Sequence, residues 1–251
     1  MAILQSDALV LRAYKLGETS KVVTLLSRAH GKLRAVARGA RNPRSRYQSS
    51  LELLSEVRVS LYGRQGADLF RLGACELLHS AFPLASRDLE SSLAVSYFAD
   101  LIDAFVPEGA ADDAVYRLAL AVLHAAEARQ PLALLSRYLE AWTLRLHGLY
   151  PQLERCASCD GALPEGRLSY HRPAHGFVCL NCGPASGPLI GPAQRHVLGE
   201  LFRCAPDALQ PALGADLAGL DVFHQDLIAG HLERSLRSQR VLEDVAREMR
   251  P

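Results

Sequence analysis

Five β-rich runs, each closed by turn residues, fill the first 80 positions, and few folds accept that pattern. Residues 6–16 end at Gly17, residues 21–27 (K-V-V-T-L-L-S) turn at His30-Gly31, and residues 32–37 set Lys32 and Arg34 against Leu33, Ala35 and Ala37 on the other parity. Residues 51–62 put Val57, Val59 and Leu61 on one parity, and residues 69–78 follow the turn Gly63–Gly66. Runs this short leave no room for helical crossovers. Five of them close most simply into a small barrel, which leaves no edge open.

Residues 32–46 (K-L-R-A-V-A-R-G-A-R-N-P-R-S-R) carry Lys32, Arg34, Arg38, Arg41, Arg44 and Arg46 and no acidic residue. A charged strand running into a loop broken by Gly39, Asn42 and Pro43 suits a polyanion, because guanidinium forks hold phosphate oxygens in pairs. In a five-stranded oligonucleotide-binding barrel the second and third strands and their loops form the binding face, and the basic stretch falls there. The competing reading is a solvated basic face with no ligand. The overall charge of +1 conceals a division: residues 1–80 hold 3 Lys and 10 Arg against 2 Asp and 4 Glu, or +7, and residues 81–251 carry −6. That asymmetry points to an anionic partner for the first part.

From Phe82-Pro83 onward the period changes to that of helices. Ser86 caps one helix with Leu89, Leu93, Tyr97, Leu101 and Phe105 at spacing four, and Asp112 or Asp113 starts a second. Pro131 opens a third, with Leu135, Leu139 and Trp142 inward, and later helices start near Pro192 and Asp221. A polar tail, residues 237–251, reads as a terminal helix. Asp100 and Asp103 share a helix face and read as solvated surface.

Cys156-Ala-Ser-Cys159 and Cys179-Leu-Asn-Cys182 are two matched pairs separated by nineteen residues. Each CxxC turn aims two thiolates at one point, and two such turns fill a tetrahedral zinc site. With all four positions taken there is no place for a reactive water, so the ion, one per chain, is structural. His171 and His175 lie between the pairs as spare ligands, and Cys75 and Cys204 read as buried apolar residues. No apolar run is long enough to span a membrane and no signal segment opens the chain, so the cytoplasm is the expected compartment. Phosphate-cradling, dinucleotide, metalloprotease and serine-hydrolase motifs are absent, and the reading is not an enzyme.

The order of parts resembles the bacterial recombination mediator family RecO. The likeness rests on A-L-V-L-R at Ala8–Arg12 with G-E-T-S at Gly17–Ser20, on the run from His30 to Tyr47, on R-Y-L-E at Arg137–Glu140 followed by Gly148, Pro151, Leu153 and Cys156, and on Ser238 to Leu242. Leu139 departs where an aromatic is common, and Gln239 where a basic residue is. The resemblance implies an α+β fold: a five-stranded OB-type β-barrel, residues 1–80, then an α-helical domain, residues 81–251, with an embedded four-cysteine zinc-binding insertion at 150–185. It implies binding of single- and double-stranded DNA, strand annealing, RecR as partner, and RecA loading on strands coated by single-strand-binding protein. Nucleoid association follows. It also places capture of that protein's acidic tail in the helical domain. There Arg137 is the candidate cation, with a surface ion pair to Glu140 as the competing reading. The alternative function is a zinc-ribbon factor of transcription or translation that binds RNA or polymerase.

Overall fold

The strands β1 (Ala2–Leu16), β2 (Ser20–Ser27), β3 (Gly31–Ala37), β4 (Glu56–Gly63) and β5 (Phe70–His79) close into a barrel in the order β1-β2-β3-β5-β4. The structure is a computed structural model that describes residues 2–64, 66–183, 187–217 and 219–238. β1 is long enough to serve both sides of the closure: residues 2–9 pair with β4 and residues 8–16 with β2, with a register shift between Val10 and Arg12. Ala8, Val10, Val23, Leu25, Leu33, Ala35, Val57, Val59 and Leu72 fill the interior. Leu9, Leu11, Val22 and Leu26 belong to the outer face and are buried as well. That is why K-V-V-T-L-L-S lacks alternation: a strand covered on both faces reads as a continuous apolar run.

The helices that follow are α1 (Phe82–Ala85), α2 (Leu89–Phe105), α3 (Asp113–Glu127), α4 (Leu132–Leu146), α5 (Pro192–Arg203) and α6 (Leu220–Leu232). Asp88, not Ser86, caps α2, its carboxylate accepting from the Ser91 N–H at 2.7 Å. A small sheet in the order β7-β6-β8, built from β6 (Leu168–His171), β7 (Gly176–Phe177) and β8 (Leu189–Ile190), has no counterpart in the sequence reading. The tail at 239–251 lies outside the described residues.

The chain divides into two compact units, Met1–Leu123 with Leu236–Pro251, and His124–Ser235. The barrel ends at His79, near the division at residue 80, but its unit continues through α2 and takes up the chain again near its end. The reason is an ion cluster. Arg12 bridges Asp100 at 2.7 Å and Asp103 at 2.5 Å, and Lys32 Nζ reaches Asp103 Oδ1 at 3.4 Å and its carbonyl at 2.7 Å. The backbone N–H and hydroxyl of Ser238 both donate to Asp100 Oδ2, at 3.1 and 3.0 Å. The two aspartates, read as solvated surface, are therefore the anchor of α2 on β1 and β3, and their side chains are only 12% and 14% exposed. Sequence spacing showed the shared helix face but not the two cations, which come from strands about 70 to 90 residues earlier.

Cutting this cluster at Asp103 leaves Lys32 partly desolvated without a counter-ion and Arg12 with Asp100 alone. Asp103→Ala is expected to lower the urea-unfolding free energy by about 3 kcal/mol. Asp113→Ala, which breaks the half-exposed pairs with Arg28 and Arg117, is expected to cost under about 1 kcal/mol. Equal effects of the two would contradict the anchor.

Candidate nucleic-acid interface and metal centre

β3 presents the alternation expected of it, with odd positions 31–37 buried and even ones half-buried. Its cations, however, are engaged within their own unit. Lys32 belongs to the aspartate cluster, and Arg34 Nε lies 3.5 Å from Glu108 Oε1. These two do not form the open charged face foreseen from the sequence, because α2 and the segment behind it bring carboxylates onto that strand. The loop after β3 is held at both ends. Arg41 Nη1 donates to the carbonyls of Gly17 and Glu18 at 3.0 and 2.7 Å, which pins the loop to the β1–β2 turn. Arg46 donates to the Tyr47 hydroxyl at 2.7 Å, with its guanidinium 4.9 Å from that ring's centre. Tyr47 in turn is buried in the barrel, its hydroxyl donating to the Leu72 carbonyl at 2.9 Å. Arg38 and Arg44 are exposed and have no carboxylate partner among the described residues.

Beside Arg38 lies a groove of about 540 Å³ between the β1–β2 turn, the end of β3 and the start of β5. Leu16, Val36, Tyr62, Leu69 and Phe70 give it an apolar floor, and among the described residues Arg38 and Arg71 supply two cations and none supplies a carboxylate. Tyr62 lies close on β5 because residue 73 is glycine; a Cβ there would sit 2.1 Å from the ring. Arg71 was missed in the sequence because it is a lone cation on a strand. Its signal is the register, which places it opposite both Val36 of β3 and Tyr62 of β4. Lys15 and Lys21 face one another across β1 and β2, an opposition that disfavours folding unless an anion is near.

In the other unit, the sulfurs of Cys156, Cys159, Cys179 and Cys182 all lie within 4.8 Å of one another, and neither His171 nor His175 joins them. Cys159 Sγ and Cys179 Sγ are 3.8 Å apart, the edge of a tetrahedron whose corners stand about 2.3 Å from a central ion. Each knuckle is fixed locally. Cys156 N–H donates to the Gly161 carbonyl at 2.8 Å and Asp160 N–H returns to the Cys156 carbonyl at 2.9 Å, while Cys182 N–H donates to the Cys179 carbonyl at 3.0 Å. Across the two, the Cys179 N–H points at Cys156 Sγ at 3.3 Å. The backbone N–H groups of Cys179 and Ser158 pull the Cys156 thiol down to about 6. Hydrogen bonding to the sulfurs of Cys179 and Cys159 pushes Cys182 up to about 12. Four sulfurs this close can ionise together only around a cation, so the cluster could bind a metal. Cys75 and Cys204, read as buried apolar residues, are half-buried, and the Cys204 thiol lies 3.5 Å from Glu200.

Arg137 is not a surface cation. Its Nη2 lies 2.5 Å from Glu140 Oε1, and the Glu140 carboxylate is fully buried. The expected ion pair exists, but inside the unit. A buried carboxylate needs a counter-ion, and Arg137 supplies it, so no free guanidinium is left for a peptide tail. Glu140 Oε2 also accepts from His224 Nδ1 at 2.9 Å, and the other ring nitrogen faces the Tyr150 hydroxyl at 2.9 Å. A carboxylate only accepts, so Nδ1 carries the proton and Tyr150 donates to Nε2. Burial, helped by Arg137, lowers the His224 pKa against the pull of Glu140.

Two family models match the chain, one on each side of the barrel's end. The family model "Recombination protein O N terminal" matches residues 1–81, and "Recombination protein O C terminal" matches residues 86–240. A protein named DNA repair protein RecO from Koribacter versatilis is 34% identical over 247 residues, covering 95% of this chain and 98% of its own. Those of the same name from Geobacter metallireducens and Pelotomaculum thermopropionicum are 30% and 36% identical, covering 96% and 72% of this chain and 97% and 69% of theirs. The chain belongs to the RecO family of recombination proteins.

The His224 shift has a pH signature. Its pKa is lower folded than the ordinary 6.5, so the unfolded chain binds more protons below that value. This contribution to stability is constant above about pH 6.5 and is expected to fall by up to about 1.4 kcal/mol per pH unit below it. Urea unfolding between pH 5 and 8 should show that slope in the wild type and its loss in His224→Gln. Parallel profiles would contradict a neutral buried histidine.

Proposed function

We propose that this chain is a non-enzymatic DNA-binding mediator of recombinational repair. It binds single- and double-stranded DNA, anneals complementary strands and, with RecR, promotes RecA loading on strands coated by single-strand-binding protein. The observation that carries this reading is the apolar groove of the barrel with Arg38 and Arg71 on its walls and, among the described residues, no carboxylate. Cations neutralise backbone phosphates, and Tyr62 and the apolar floor accept base faces. Family membership supports the repair role, since the relatives are named DNA repair proteins. Annealing needs only charge neutralisation on a surface that holds two strands close, which requires no nucleotide. The protein acts in the cytoplasm, at the nucleoid; no helix among the described residues is long and apolar enough to cross a membrane.

The four-cysteine cluster is read as a structural zinc site, because four thiolates fill the coordination of zinc and fix two knuckles that have little core of their own. When bound, the ion supplies cross-linking and no reaction step.

Charge reversal at Arg38, Arg44 and Arg71 to Glu is expected to abolish annealing. It should also flatten the fall of log affinity with log salt, which on single strands has a slope of about −0.7 per neutralised phosphate. An unchanged slope in a folded triple variant would overturn the groove assignment. For the cluster, elemental analysis is expected to give one zinc per chain, and Cys156→Ser is expected to lower the melting temperature while sparing DNA affinity. Metal-stripped protein that melts like the untreated protein would contradict the structural role.

A further inference from the structure

We propose that the groove at the opposite end of β3 from Arg38 is a second phosphate-binding site, held closed by Glu108. The inference rests on the DNA-binding reading above and extends it. This groove, of about 580 Å³, is walled by Leu4, His30, Arg34, Asp68, Phe70 and Glu108, and Phe70 lines the Arg38 groove as well. Arg34 lies on β3 and Arg38 in the turn directly after it, four residues on, which is about 13 Å of extended chain.

The chain places Glu108 there by its backbone. Behind α2, residue 108 bridges Lys32 in parallel fashion, and the Gly109 N–H donates to the Lys32 carbonyl at 3.1 Å. The approach is so close that Gly31, at φ +70°, has no room for a side chain; a Cβ would lie 2.0 Å from the Ala110 carbonyl oxygen. The main chain is thus fixed while the Glu108 side chain reaches toward solvent. It is 57% exposed, its partner Arg34 is 41% exposed, and the contact is 3.5 Å long. Arg34 Nε is shielded from water yet has no hydrogen-bond partner among the described residues. Lys32 and Asp103, by contrast, are 15% and 14% exposed and locked in the anchor.

An exposed pair at this distance contributes little to folding. A guanidinium with an unfilled Nε donor gains more from a phosphate, whose oxygens meet Nε and Nη together. Glu108 therefore stands where a backbone phosphate stands when a strand runs the length of β3. Its carboxylate competes for Arg34 and shortens the footprint. The occupant is the phosphate backbone of a single strand that already lies in the Arg38 groove.

The test is a titration of the full chain with labelled single strands of graded length over a range of salt. Variants are Glu108→Gln, Arg34→Ala and the two combined, with thermal melts as a check on folding. Glu108→Gln is expected to tighten binding about tenfold, the effect of one charge-assisted contact, and only on strands long enough to reach both grooves. Its salt slope should steepen by about 0.7, one added phosphate. Arg34→Ala is expected to cost less affinity on its own than in the Glu108→Gln background, where it should remove the gain. Unchanged affinity and slope in Glu108→Gln, with the wild type binding normally, would overturn the gate. So would an equal loss from Arg34→Ala in both backgrounds. A wild type that binds no strand at low salt would instead overturn the reading on which the gate rests.

Discussion

Asp100 and Asp103 take two cations out of the barrel's strands and join them to a helix, and most of the first unit depends on that exchange. Each partner alone would be costly. Arg12 and Lys32 lie where the barrel is covered, and two carboxylates one turn apart on α2 repel unless cations sit between them. Together the four groups satisfy one another, and Ser238 completes the acceptor set of Asp100 with two further donors. The apolar outer face of β1 then finds its cover, because the charges fix where α2 lies on it.

The same exchange determines what the protein offers to a ligand. The basic stretch contains six cations, but an intramolecular partner holds four of them: carboxylates for Lys32 and Arg34, turn carbonyls for Arg41, and Tyr47 for Arg46. Arg38 and Arg44 keep their charge in solvent, and β5 adds Arg71. Counting cations in sequence therefore overstates the interface. Those that remain are set against a groove floored by Tyr62 and Phe70, a pairing that a solvated basic face lacks.

How much of this was legible depended on the range of the interaction. The barrel was, since strand alternation and turns at Gly17, His30-Gly31 and Gly63 are local, and closure follows from strand count. So were the cysteine knuckles, because each CxxC sets its own geometry. Asp100 and Asp103 were misread because their partners are long-range, and Arg137 because helical spacing shows that Glu140 is one turn away but not that both point inward. His224, the residue that makes that interior polar, lies 84 positions further on. Arg71 could be found only from register. The small sheet escaped because strands of two to four residues carry too little pattern.

The central claim is that DNA is held by the cations the anchor leaves free and not by those it encloses. Residue-resolved arginine modification, read by mass spectrometry with and without a bound single strand, tests this directly. The account predicts that Arg38, Arg44 and Arg71 react in the free protein and are protected by DNA, while Arg12 resists the reagent in both states. Protection confined to Arg12, with Arg38 and Arg71 equally reactive in both states, would contradict it.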